Sequence, residues 1–417
     1  MLAPSPSARR LVDRRAADGT PFLAALVRAM IDGRLPDTTL LAVCPNSEAV
    51  TRATLRVAER TGMPALFAAT LNQVDAIMGG GYTGWTPASF ARFVTDDAER
   101  LGVTVPIGLG LDHGGPWRTA VHDGLDETGA MAAAKRSLSA CLDAGYALLH
   151  LDATTGPGGS PALPVTVVAR TLDLLAHAEA HRTAQRLPPV AYEVGTEEIA
   201  GGLADEAAFV QFLDDLHAGL RARDLLHAAP CFVVGQVGTL LTTDRFDAEK
   251  AATLTRQARR FGALVKGHDT DFVAQPDAYP ASGMGGANIG PECTAAEYAA
   301  LCDLADQACA RGHRPEIERV LREAVVADGH WRTWLGPRQR DAAFADLDPD
   351  QQTWFVATSA RYVWTQPEVA DARSALYDFV ADLDPEAVVG ARIEAVIEGY
   401  AEAFNLRGLC ERVEQIA

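Results

Sequence analysis

The chain is short of positive charge. It holds 37 Lys and Arg against 55 Asp and Glu, for a net charge of −18 and a pI near 5.0. Nucleic acid needs a basic face to meet its phosphates, and an anionic membrane surface needs a polybasic segment. Neither partner is expected. One local Arg or a few backbone N–H groups can still hold a single phosphate. No CxxC pair occurs among the seven cysteines (Cys44, Cys141, Cys231, Cys293, Cys302, Cys309 and Cys410). Their odd number and mostly apolar settings read as reduced, buried thiols of a cytoplasmic protein. No apolar run approaches the ~20 residues of a membrane span. Residues 1–15 contain no apolar h-region, so no signal peptide is expected. Repeats, low-complexity tracts and flexible linkers are also missing, and no GxGxxG follows the first apolar run.

What is present is a core. Hydrophobic residues make up 48% of 417 positions and charged ones 22%, an ordinary balance for a globular protein. Short apolar runs at 38–44, 65–69, 105–111, 146–151, 190–194, 231–234, 263–266 and 287–289 read as strands. Amphipathic stretches at 47–60, 87–101, 129–144, 165–186, 206–223, 247–260 and 294–311 read as helices between and after them. Ser47 and Thr86 are natural N-caps and Gly145 a natural helix stop. Continuous apolar strands imply a parallel sheet covered on both faces. Eight right-handed βαβ steps close into a barrel. An open doubly wound sheet is the alternative, disfavoured by the missing GxGxxG. From residue 315 onward no strand is visible, and Trp331, Trp334, Trp354, Tyr362 and Trp364 are spread among helical patterns. The expected fold is α/β: a (β/α)₈ TIM barrel over residues 1–312, with an α-helical C-terminal extension over 313–417.

Barrel enzymes place their chemistry at the C-terminal ends of the strands. Strand three ends in Asp112-His113-Gly114-Gly115, and strand four in His150-Leu151-Asp152. Strand five carries Tyr192-Glu193 and runs into Gly195-Thr196-Glu197-Glu198. Strand six ends in Gly235-Gln236, strand seven in Gly267-His268-Asp269, and strand eight offers Asn288. Imidazoles with carboxylate or amide ligands suit Zn²⁺ or a similar divalent ion, which acts as a Lewis acid on a sugar oxygen. A carboxylate beside it can move a proton. Glu193 reads either as part of that chemistry or as the partner of a cation inside the barrel. Asp152 and Gln236 read either as part of it or as groups that orient ligands. His150 reads as a satisfied core histidine, and His122, His177, His181, His217, His227, His313 and His330 as packing or surface residues. Asn72 and Gln73, beside the loop Gly79-Gly80-Gly81-Tyr82-Thr83-Gly84, are candidates for sugar hydroxyls, with Gly115, Asp269 and Asn288. That loop is either a lid or a long connection. Ser282-Gly283-Met284-Gly285-Gly286 is a candidate phosphate-binding backbone, although it contains no Lys or Arg.

These stretches resemble a known family, the non-catalytic subunit of class II tagatose-bisphosphate aldolase, some members of which are C4 epimerases of sugars or sugar phosphates. The likeness is carried by Asn72-Gln73-Val74-Asp75 with Gly80-Gly81-Tyr82-Thr83-Gly84-Trp85-Thr86-Pro87, and by Leu111-Asp112-His113-Gly114-Gly115-Pro116. It continues in His150-Leu151-Asp152, Tyr192-Glu193-Val194-Gly195-Thr196-Glu197, His268-Asp269-Thr270-Asp271 and Ile289-Gly290-Pro291, and weakly near residues 361–364. It spans roughly residues 44–364. The related zinc-dependent class II aldolases carry an Asp-His pair at strand three. The resemblance therefore implies Asp112 as proton-transfer residue, assisted by Glu193 or Asp152, and His113 and His268 as metal ligands. Those aldolases have a third histidine at strand six, where this chain has Gly235-Gln236-Val237-Gly238-Thr239. That departure counts against aldolase activity and leaves Glu193 or Gln236 to complete the metal site. The implied cofactor is a divalent metal, zinc first, with Mn²⁺, Ni²⁺ or Co²⁺ as alternatives. The implied function is C4 epimerisation of a ketose or ketose phosphate, by retro-aldol cleavage or by direct proton exchange. A non-catalytic subunit partnering an aldolase catalytic subunit, or an aldolase itself, are the other two readings. A homo-oligomer is expected. Lys266-Gly267 before His268, and the run 272–286, depart from the family pattern and leave the sugar open.

Overall fold

The computed structural model describes residues 19–77, 79–195, 204–242, 245–336, 339 and 341–415. Residues 1–15, and Thr196, Glu197 and Glu198 of the strand-five run, lie outside the described residues. The strands are β1 (Leu40–Val43), β2 (Ala65–Thr70), β3 (Ile107–Asp112), β4 (Leu148–Leu151), β5 (Ala191–Gly195), β6 (Phe232–Val234), β7 (Leu264–Gly267) and β8 (Gly286–Ile289). Each pairs in parallel with the next, and β8 returns to β1 through Leu40↔Gly286 and Val43↔Ile289. The barrel is closed, so the open sheet is eliminated. β3 begins at Ile107, two residues later than its apolar run, because Pro106 has no N–H to donate to the ladder.

Local chemistry sets the helix boundaries. Ser47 accepts from the Val50 N–H and starts the Glu48–Thr61 helix, which Gly62 ends at φ +70°. Thr86 and Ser89 cap each other at the start of Pro87–Leu101. Asp126 caps Glu127–Asp143, so that helix opens two residues before its expected start. The helices Phe22–Ile31 and the four-residue Ala278–Ala281 are absent from the sequence reading. The first, FLAALVRAMI, has Arg28 as its single polar residue, so periodicity does not mark it. Leu23 borders the same small cavity as Leu40, Leu66, Gly108, Leu148, Phe232 and Gly286. Those residues sit toward the N-terminal ends of their strands, so this helix covers the barrel end opposite the chemistry.

Among the described residues no strand follows β8. The chain continues through helices Pro291–Ala310, Ile317–Asp328, Pro349–Ser359, Pro367–Phe379, Pro385–Ala403 and Leu409–Gln415. The later helices lie against Glu48–Thr61 and Pro291–Ala310. Arg60 of the barrel side pairs with Glu394 at 2.9 Å and Glu398 at 2.6 Å. Gly408 and Cys410 donate to the carbonyls of Thr61 and Gly62. Trp331 is fully buried in this layer. The cysteines are free, but only Cys141, Cys231 and Cys293 are buried, and Cys309 is exposed. No helix among the described residues is long and apolar enough to cross a membrane.

Candidate active site

The C-terminal rim of the barrel gathers four side chains. Asp112 is the last residue of β3, and His113 follows it at φ +52°. His150 lies in β4 and His268 directly follows β7. Each presents a ligand atom, and these atoms all lie within 4.8 Å of one another. The three rings have centroids 4.8–5.2 Å apart. His150 Nδ1 is 3.1 Å from Asp112 Oδ1, and Asn288 Nδ2 donates to Asp112 Oδ2 at 3.1 Å. Burial opposes charge on Asp112, but His268, His113 and the hydrogen bond from His150 outweigh it and hold the carboxyl well below its usual range.

His150 corrects the sequence reading. It is completely buried, and its Nε2 has no hydrogen-bond partner. A satisfied core histidine leaves no such atom. The signal was present in the alternation: residues i and i+2 of a strand face the same side, so His150 shares the barrel-facing side with Asp152. Nδ1 meets both Asp112 Oδ1 at 3.1 Å and the His113 N–H at 3.2 Å. In the tautomer that carries its proton on Nδ1, toward Asp112, Nε2 presents a lone pair to a ligand. Three imidazoles and a carboxylate suit Zn²⁺ or another borderline divalent ion. Strand six brings no imidazole to this group, and strand four brings His150.

The other two rim carboxylates are already occupied. Glu193 is fully buried; Lys266 Nζ donates to its Oε2 at 2.6 Å, and His268 Nε2 lies 2.9 Å from its Oε1. Burial raises the pKa of Glu193, but Lys266, His150 and His268 prevail and bring it to about 2. Asp152 accepts from Arg118 Nε at 2.8 Å and sits 2.7 Å from His113 Nδ1. Its other oxygen accepts from Thr154 N and Oγ1 at 3.1 and 2.5 Å. Burial opposes its charge, and Arg118 and His113 hold it well below the carboxylate range. Asp152 thus orients His113 as a carboxylate orients a metal-binding imidazole. Arg118 carries no family motif, and Lys266 stands out in the sequence only as a departure from the family pattern.

The remaining candidates are scattered. Gln236 stands outside the four-residue group; its backbone carbonyl accepts from Ala204 at 3.0 Å. Gln73 is buried and holds loops together, donating to Asn46 Oδ1 at 2.7 Å and accepting from Thr70 N at 2.7 Å. Asn72 is exposed, and its carbonyl accepts from Tyr82 N. A Cβ on Gly115 would fall 1.5 Å from the Asp152 carbonyl oxygen, so this glycine serves close packing. Asp269 is half-buried at φ +52°. The glycine-rich run 282–286 precedes β8, and the amide of Gly285 bonds to Val265 inside the β7 ladder. It therefore lies at the N-terminal side of β8, away from the rim, which rules it out as a phosphate cradle for the site. Its glycines serve packing: a Cβ on Gly285 would meet Leu264 Cβ at 2.5 Å.

Comparison with known proteins places these features. Residues 27–222 match the family described as D-tagatose-1,6-bisphosphate aldolase subunit GatZ/KbaZ-like. A D-tagatose 6-phosphate 4-epimerase from Agrobacterium fabrum is 29% identical over 440 residues, covering 92% of this chain and 98% of the relative. A D-tagatose-1,6-bisphosphate aldolase subunit GatZ from Salmonella dublin is 25% identical over 372 residues, covering 83% and 84% of the two chains. A solved structure described as a probable tagatose 6 phosphate kinase from Sinorhizobium meliloti superposes with a TM-score of 0.70 at 26% identity, covering 88% of this chain and 100% of the other. Fructose-bisphosphate aldolase from Campylobacter jejuni shares the fold, with a TM-score of 0.56 at 11% identity over 93% of this chain and 94% of its own.

Proposed function

We propose that this protein, whose residues 27–222 match the GatZ/KbaZ-like family, is a metal-dependent 4-epimerase of a ketose phosphate. The observation that carries the reading is the convergence of Asp112, His113, His150 and His268 with a buried, unpartnered His150 Nε2. The printed activity of the Agrobacterium relative agrees with it. A divalent ion held by the three imidazoles, with Asp112 beside it, would supply Lewis acidity for the charge that develops on the ketose oxygen.

Carbon chemistry selects the route. The C4 hydrogen of a 2-ketose is not adjacent to the carbonyl, so its removal gives no stabilised carbanion. Breaking C3–C4 instead leaves the electron pair on C3, conjugated with the C2 carbonyl. Asp112 takes the C4 hydroxyl proton as that bond opens and C4 becomes an aldehyde carbon. The aldehyde turns, C3 attacks its other face, and the proton returns to the new C4 oxygen. Asp152 and Glu193 are committed to Arg118 and Lys266, which leaves the proton shuttle to Asp112. Asp152 keeps His113 in place, and Glu193 does the same for His268.

The test is interconversion of D-tagatose 6-phosphate and D-fructose 6-phosphate by the Zn²⁺-, Mn²⁺- or Ni²⁺-supplemented protein in ²H₂O. C4 epimerisation without deuterium at C4 is expected. No epimerised product with any of the three metals sinks the reading. The GatZ subunit relative favours a second reading, a partner of a separate aldolase. That one predicts a stable hetero-complex and no turnover by this chain alone.

A further inference from the structure

The C-terminal helices contribute a cation to the rim that the site described so far does not use. Arg361 is 5% exposed. Its guanidinium donates to the Thr358 carbonyl and, at 2.9 Å, to the Tyr362 hydroxyl. It lies over the Tyr362 ring at 4.5 Å and near Trp334 at 5.9 Å. No carboxylate forms an ion pair with it among the described residues. The other buried cation near the site is matched, Lys266 by Glu193, and the half-buried Arg118 by Asp152. A buried guanidinium without a counter-ion is unfavourable unless an anion joins it.

Arg361 also stands in the right place. Tyr362 packs edge-on against Tyr82 at 5.0 Å, and the Tyr82 hydroxyl donates to Asn46 Oδ1 at 3.0 Å. Thr365 donates to the Tyr82 carbonyl at 2.8 Å. The Arg361 charge is felt by Cys44, which follows β1, and by Tyr82 in the loop after β2. Asp271, in the segment after β7, is the carboxyl that interacts with it over longer range. The Oδ1 of that carboxyl accepts from the Gly290 and Glu292 amides at 2.8 and 2.7 Å, and the carboxyl forms no ion pair with Arg361. Thus the loops after β1, β2 and β7 surround Arg361 on the same barrel end as the four-residue group.

We propose that Arg361 is the specificity-determining counter-ion for an anionic group at the end of the sugar remote from its carbonyl. The C-terminal helices thereby complete the substrate site. A guanidinium fork matches a phosphate or carboxylate through paired N–H donors. The inference uses the epimerase reading only for the shape of the ligand, a ketose with a charged far end.

Binding separates the two ideas, because calorimetry on EDTA-treated protein reads recognition without turnover. The probes are D-fructose, D-fructose 6-phosphate, the corresponding 5-keto-hexuronate and inorganic phosphate. Wild type is expected to bind one of the two anionic sugars roughly tenfold to a hundredfold more tightly than D-fructose, the range of a charged hydrogen bond. Which anion it prefers identifies the group. Inorganic phosphate is expected to compete if that group is phosphate. Arg361→Gln is expected to reduce the preference to threefold or less, and Arg361→Lys to leave it in between. If turnover is measurable, Arg361→Gln raises KM for the charged sugar more than it lowers kcat, which loss of packing alone does not do. A folded Arg361→Gln that keeps the wild-type preference overturns the proposal. So does a wild type that binds neutral and anionic ketoses equally, whether or not it epimerises them. Should Arg361→Gln not fold, Arg361→Lys decides: unchanged preference overturns the proposal and a reduced one sustains it.

Discussion

Asp112 and Glu193 are both buried carboxylates on the barrel's interior, yet their partners differ in kind. Glu193 faces His268 at 2.9 Å and, at 2.6 Å, a lysine that forms an ion pair with no other carboxylate among the described residues. Asp112 faces three imidazoles and an amide, His113, His150, His268 and Asn288, and ion-pairs directly with no lysine or arginine among the described residues. Removing the charge of Glu193 strands a buried ammonium. Removing that of Asp112 strands no directly paired ammonium or guanidinium, because an imidazole can lose its own proton. A carboxylate bound to a permanent cation therefore acts by position, and one surrounded by titratable rings can carry a proton back and forth. Asp152, held by Arg118, falls on the side of Glu193.

The sharpest break of this comparison is Asp112→Asn. It keeps the shape of the side chain and removes the proton acceptor. Epimerisation should fall by about 10²–10⁴ in kcat, while the thermal melt and the metal content by elemental analysis stay close to wild type. An equal loss of kcat in Asp152→Asn with metal restored would erase the distinction between the two carboxylates.

The Glu193–Lys266 pair predicts a stability effect on top of the loss of His268 positioning that Glu193→Gln brings. Glu193→Gln and Lys266→Met should each destabilise by about 3–5 kcal/mol in urea unfolding, since each leaves one buried charge unpaired. The double variant should recover most of that loss, which two independent packing defects would not do. The pH dependence has a definite sign. The folded pKa of Glu193 is depressed to about 2, below the ~4.3 of an unfolded glutamate. Its contribution is full above the unfolded value and disappears as pH falls toward 2. Glu193→Gln should therefore flatten the acid limb of the stability curve and leave its upper part parallel to wild type.

How these groups were or were not legible in the sequence follows from the range of the contacts. The eight strands declare themselves because a parallel strand covered on both faces is a continuous apolar run, and Asp112-His113 stands directly at the end of one. His150 was readable too, since its position two residues before Asp152 fixes its side. The Lys266–Glu193 pair was not, because it joins β7 to β5 across β6 and no local rule connects them. Arg361 is further removed still, arriving from helices after the barrel is complete. The glycine-rich run 282–286 shows the opposite failure: its composition suits a phosphate loop, but the direction of β8 puts it at the wrong end.

Asp152→Asn gives the smallest effect and the finest test. The carboxylate touches His113 Nδ1 at 2.7 Å and Arg118 Nε at 2.8 Å, so the variant loses a charge-assisted acceptor without losing a group that reaches the reacting atoms. Loss of such a supporting carboxylate costs about 10–100-fold in metal affinity. Competition with a chelator of known strength reads that directly. Excess metal should then return most of the activity, because Asp112 is untouched. The acid side separates the roles further. Arg118 and His113 hold Asp152 well below its ordinary pKa, so in wild type it keeps orienting His113 as pH falls below the usual carboxylate range. In Asp152→Asn that orientation is weakened at every pH, and metal affinity should be lower by a similar factor at pH 5 and pH 8. A deficit that appears only at the lower pH would mean that Asp152 acts by exchanging a proton, as proposed here for Asp112 alone.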